Sequence, residues 1–148
     1  GTKHEAFSIA GGAGAGGENV PVLALDNLLD DGRILPDGKY LIKLDVEGVE
    51  NEAIKGGTRV LQGDAVILCE EHGNDPNHTV SRYILNETPL KLIVHDPVSS
   101  RFETLTELSI LDRIKVASHV GYNVFGTSSA FWQDRFNRLN ATASRRVH

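Results

Sequence analysis

Two apolar runs, Tyr40 to Val46 and Ala65 to Glu70, bracket a stretch whose apolar residues repeat with helical spacing. Val49, Ala53 and Ile54 fall on one side of that stretch, while Glu50, Asn51, Glu52 and Lys55 fall mostly on the other, and Gly56-Gly57 end or kink it. The first run is mostly and the second almost wholly apolar, as expected of strands covered on both faces. Two such strands joined through a helix are parallel, with a right-handed crossover. Residues 40 to 70 therefore predict a strand, helix, strand unit of a layered α/β domain.

The flanks are read around that unit. Gly11-Gly12-Ala13-Gly14-Ala15-Gly16-Gly17 has too little side-chain mass for a core, so residues 1–20 are expected to be a mobile glycine-rich segment. Val22 to Leu25 reads as extended, Asp26 as the cap of a short helical turn, and Pro36-Asp37-Gly38 as a turn. After the second strand, Asp75-Pro76 predicts the cap and first residue of a helix carrying Val80, Tyr83 and Ile84. Leu90 to Val94 predicts a strand, and Thr104 with Glu107 a capping box before the stripe Leu108, Leu111, Ile114, Ala117. Tyr122 to Phe125 and Ala130 to Trp132 read as closing strands, and residues 137–148 as a frayed polar tail. The main body of the domain is thus expected over 21–136.

Composition removes several functions. A net charge of -5 without a polybasic run argues against nucleic acid or an anionic membrane as partner. No apolar run is long enough to span a bilayer, so a soluble chain is expected. Cys69, inside an apolar run, reads as a small buried hydrophobe and suits a reducing cytoplasm. The Asn-x-Thr triplets at Asn77, Asn86 and Asn140 read as chance, and His78, His95 and His119 as surface residues. The chain starts at Gly1 and has no methionine, as expected of an internal piece of a longer product.

The chemistry concentrates at the end of the first strand. In an open parallel sheet, ligands sit beyond the carboxyl ends of the strands. Asp45 and Glu47 stand there, two apart and so able to share a face, and Gly48 permits a sharp turn into the helix. Carboxylates directly after an apolar strand are costly unless solvated, paired or used. The alternative use is structural, with Glu47 or Glu50 capping the helix and Asp45 in a salt bridge. Glu71, His72 and Asn74 follow the second strand and are candidates for substrate contact. Asp45, Glu71 and His72 also offer a weaker option, a divalent cation site of oxygen and nitrogen ligands.

Ile42-Lys43-Leu44-Asp45-Val46-Glu47-Gly48-Val49-Glu50, followed by Lys55-Gly56-Gly57 and a strand ending in Glu70, resembles the signature of FkbM-type methyltransferases. Val22 to Leu29 is similar to the leucine-aspartate segment that precedes that signature, and Gly121 to Phe125 resembles its closing strand region. The likeness is specific over 22–71, loose over 105–132 and absent from the first 20 residues. It implies a class I methyltransferase fold, Rossmann-like with a mostly parallel sheet, of which this chain would hold the C-terminal half. The implied reaction moves a methyl group from S-adenosylmethionine, usually to a hydroxyl oxygen, on a small-molecule or glycan acceptor. An in-line displacement of that kind needs an aligned nucleophile and a base for its proton. Asp45 is the candidate catalytic residue, with Glu47 as partner or alternative.

The residues that would hold the cofactor are not identified. Gly12 to Gly16 with Asp26 imitates a cofactor loop, but ten positions separate Gly16 from Asp26 where about 20 are needed. Two other readings stand beside the enzyme. One is a module that is silent alone and self-associates through an exposed sheet edge. The other is a metal-dependent hydrolase built on Asp45, Glu71 and His72.

Overall fold

The computed structural model describes residues 21–145, so the glycine-rich segment 1–20 lies outside the described residues. In chain order the elements are α1 (Leu25–Asp30), β1 (Lys39–Leu44), α2 (Glu50–Lys55), α3 (Thr58–Gln62), β2 (Asp64–Glu71), α4 (Thr79–Glu87), β3 (Lys91–Asp96), β4 (Arg101–Leu105), α5 (Ser109–Ile114), β5 (Tyr122–Thr127) and α6 (Ala130–Arg145). Strands β1 and β2 are the expected parallel pair, in register from Lys39 opposite Asp64 to Leu44 opposite Cys69.

The five strands lie in the order β1-β2-β5-β3-β4. The expectation of a mostly parallel sheet is corrected here. Only β1 with β2 is parallel, whereas β2 with β5, β5 with β3 and β3 with β4 are antiparallel. The reason is topological. β5 inserts from the opposite direction between β2 and β3, and β3 turns straight back into β4 through Ser100, whose φ of 55° reverses the chain. β1, β2 and β3 still run in one direction.

Period-two alternation divides the side chains between two layers. Ala65, Ile67 and Cys69 of β2 pack with Leu92, Val94 and Val124 under α2 to α5, which contribute Ile54, Val60, Leu61, Val80, Ile84, Leu111 and Ile114. Each fully buried leucine or isoleucine there contributes about 1.5–3 kcal/mol. The other face carries Val66, Ile93, Phe102 and Phe125 beneath Trp132 and Phe136 of α6. β1 lies at the sheet edge among the described strands, and its residues Lys39, Leu41 and Lys43 are exposed.

Two other expectations change. Ala130 to Trp132 does not form a strand but opens the sixteen-residue α6, which runs through most of the expected frayed tail. Ser129 starts it, accepting the Trp132 amide on its hydroxyl while its carbonyl takes the Gln133 amide. Asp75-Pro76 forms a turn ahead of α4, and the helix itself begins at Thr79. No helix among the described residues is long and apolar enough to cross a membrane.

The separated pieces of the signature form one corner of the fold. Gly56 and Gly57 leave room for Ala24 and Leu25, which a Cβ would meet at 3.0 and 2.8 Å, and the Asp26 amide bonds the Gly56 carbonyl at 2.9 Å. Asp26 caps α3 rather than its own helix, accepting the amides of Arg59 at 3.1 Å and Val60 at 3.0 Å.

Candidate functional site at the carboxyl edge of the sheet

Because β5 runs against its neighbours, its first residue meets the last residues of β2. Tyr122 sits opposite Glu71 and Asn123 opposite Glu70. Asp45 leaves β1 at the same edge, one residue beyond the Leu44 to Cys69 pair.

Asp45 is exposed and its Oδ2 lies 2.9 Å from Lys43 Nζ, a rim pair in which both side chains are about 60% accessible. A hydrogen bond and the charge of Asp45, with a smaller effect from Glu70, hold the Lys43 ammonium above its ordinary range. The extended backbone ends at Leu44, so the alternation expected to carry Asp45 and Glu47 onto one face does not reach Glu47. Instead Glu47 and Gly48 adopt consecutive left-handed conformations, with φ of 40° and 94°. That turn is held from below by Glu50. Its carboxylate, 6% exposed, accepts the Gly48 amide at 3.0 and 3.3 Å. Of the three acids of the motif, Glu50 is structural, and Asp45 and Glu47 remain open to solvent. Beside Glu50, Asn51 holds a buried Oδ1 with no hydrogen-bond partner among the described residues.

The second acidic group separates by face. Glu71 is 1% exposed and accepts the Ser81 amide at 2.8 Å, the Ser81 hydroxyl at 2.7 Å and, more weakly, the Val80 amide at 3.4 Å. It closes the first turn of α4 inside the core layer. The substrate contact expected of Glu71 is corrected on this ground: its lone pairs are used and water does not reach it. Glu70 is the residue on the Asp45 face, exposed and lying over Gly121, where any Cβ would collide with it. Strand parity carried that distinction, since Glu70 follows the inward Cys69. His72 and Asn74 are exposed on the loop after β2.

Among the described residues no group of three or more His, Cys, Asp or Glu side chains converges as a metal site, so the Asp45, Glu71, His72 set does not assemble. The burial of Cys69 proves sound, and burial foremost, with Glu50 and Glu71, pushes its thiol up to about 12. His95 and His119 are exposed as expected, but His78 is not. At 3% exposure it lies between the Tyr122 hydroxyl on Nδ1 and Asp112 Oδ1, 2.9 Å from Nε2. Its partners are 44 and 34 residues away in the chain, beyond any local pattern.

Two cavities lie elsewhere. One of about 170 Å³ is lined by Ile54, Lys55, Tyr83 and Glu87, and one of about 450 Å³ by Leu35, Tyr40, Arg59 and Asp64. Asp26, the first acid of the described chain, is fully engaged with Arg59 and Val60.

Comparison with known families supplies the class of chemistry. No curated protein and no solved structure matches the chain. The methyltransferase FkbM domain matches residues 2–90, which takes in the glycine-rich stretch as well as the strand, helix, strand unit and leaves out Gly121 to Phe125. The likeness therefore begins well before residue 22, and with more than half of its length matched the chain belongs to the FkbM methyltransferase domain family.

Proposed function

We propose that this chain forms the acceptor side of an S-adenosylmethionine-dependent O-methyltransferase of class I, Rossmann-like architecture, acting on a hydroxyl of a small molecule or glycan. The observation that carries the reading is the exposed carboxylate of Asp45, paired with Lys43 at the carboxyl edge of β1, in a chain of the FkbM methyltransferase family. The common direction of β1, β2 and β3, with β5 reversed between them, agrees with the closing half of such a sheet.

In this reading Asp45 accepts the proton of the acceptor hydroxyl, the step a positioned carboxylate performs as general base. Glu47 stands beside it on the turn, and His72 and Asn74 hold polar groups of the acceptor. Lys43 keeps the Asp45 carboxylate oriented on the exposed face. The methyl donor would supply the methyl group, and the residues of this chain that would hold it are not assigned. The buried thiol of Cys69 agrees with a cytoplasmic setting.

Calorimetric titration of the 148-residue chain with S-adenosylmethionine, followed by transfer of labelled methyl groups to a panel of hydroxyl compounds, tests the reading. Binding in the micromolar range is expected, with Asp45→Asn lowering transfer about 10²-fold or more while leaving donor affinity unchanged. Absence of donor binding would favour the silent module. That second reading draws on the edge strand β1, where Leu41 is 58% exposed, and sedimentation would then show self-association.

A further inference from the structure

We propose that His78 is the positioning residue of the loop after β2, fastening it to β5 and α5 so that His72 and Asn74 are held beside the Asp45 edge. The functional part of this rests on the acceptor-side reading given above. His78 itself, nearly sealed from solvent, touches no acceptor.

The residue pays a conformational penalty for its place. Its φ of 48° and ψ of 57° are left-handed, a conformation that costs a side chain with a Cβ free energy unless the surroundings hold it. What holds it are the two ends of the ring. Asp112 presents a carboxylate oxygen, which can only accept, so Nε2 carries a hydrogen and donates to it. Nδ1 is hydrogen-bonded to the Tyr122 hydroxyl. The His78 carbonyl, in turn, accepts the Arg82 amide at 2.8 Å as the first bond of α4. One residue thus joins the start of β5 and the exposed acid of α5 through its ring, and the first turn of α4 through its carbonyl.

A second fastening lies at the other end of the loop. A side chain at Gly73 would collide with the carbonyl oxygens of Ala117 and Val120, so the loop and the segment leading into β5 lie in direct contact. Between the two points, Asp75 accepts the Asn77 amide at 2.8 Å and the Thr79 amide at 2.9 Å, closing the loop on itself. His72 and Asn74, exposed on either side of the buried Gly73, owe their placement to Gly73 and His78.

Amide hydrogen exchange on the 148-residue chain tests the assignment. His78→Leu keeps bulk but loses both ring bonds. His78→Asn keeps an acceptor for Tyr122 and tolerates the left-handed backbone. Amides of residues 72–79 are expected to exchange about tenfold faster in His78→Leu and within about twofold of the parent in His78→Asn, with β2 and β3 unchanged in both. Unchanged loop exchange in His78→Leu, or equal acceleration in both variants, would overturn the proposal. Should His78→Leu not fold, Tyr122→Phe removes only the hydroxyl and is expected to accelerate the same amides about threefold, no acceleration being the contrary result. Exchange does not depend on the methyl donor, so failure of donor binding would remove the acceptor reading and leave the fastening of the loop intact.

Discussion

Ser81 meets Glu71 with two donors at once, its amide at 2.8 Å and its hydroxyl at 2.7 Å, and thereby places a carboxylate inside the core layer at the start of α4. Hydrogen bonds to a charged acceptor are worth about 1.5–3 kcal/mol, and a buried acceptor left short of donors costs a comparable amount. Ser81→Ala should therefore lower stability by about 1–3 kcal/mol in urea denaturation with an unchanged m value. Glu70→Gln, on the exposed neighbour, should shift it by less than about 0.5 kcal/mol.

Asn51 presents the opposite case, a buried side-chain oxygen with no partner among the described residues. Leucine has nearly the same branching and no polar atom to satisfy. Asn51→Leu is expected to raise the unfolding free energy by about 1 kcal/mol. A loss of that size would instead show that the side chain finds a hydrogen-bond partner in water or outside the described residues.

The pH dependence follows from three shifted groups. Burial foremost lifts the Cys69 thiol to about 12 and also lifts the Tyr122 phenol, so the folded chain keeps protons that the unfolded chain releases above about pH 9. Stability should fall as pH rises through that window, and Cys69→Ala should flatten the slope. Native Cys69 should also resist alkylation at pH 8 until unfolding exposes it. Asp75 behaves inversely. Burial alone would raise it, but hydrogen bonds from Thr79 and Asn77 and the nearby His78 hold it below its usual 3.8. Its contribution is present above that value and lost as pH falls through the folded value, so Asp75→Asn should flatten the acid limb of the stability curve.

The strand, helix, strand unit was legible because its apolar runs are long, bounded by glycines and separated by a clear helical period. α6 was not, because Ala130 to Trp132 is too short to show a period until Phe136 is counted four residues beyond Trp132 and Ser129 is recognised as a cap. The hairpin of β3 with β4 was hidden by Thr104, which reads as a helix cap in isolation and is a strand residue opposite Ile93. At the site, Asp45 could be placed from the end of its strand. Choosing Glu70 over Glu71 required strand parity, and His78 required contacts that only the folded chain brings together.

Glu47 carries the last prediction. A glutamate at φ 40° is held in a conformation that glycine adopts freely, next to Gly48 at φ 94°, where the glycine is required. Non-glycine residues in that region cost about 1–2 kcal/mol, and such strain collects where a side chain is used. Glu47→Gly should therefore match or exceed the parent in stability, the relieved strain offset in part by the added freedom of the unfolded chain. Gly48→Ala should cost at least about 1 kcal/mol. If Glu47 acts as partner or alternative to Asp45, Glu47→Gly should at the same time reduce methyl transfer about tenfold or more, a loss of activity without a loss of fold. A variant both less stable and fully active would show that the side chain supports the turn and leaves the chemistry to Asp45.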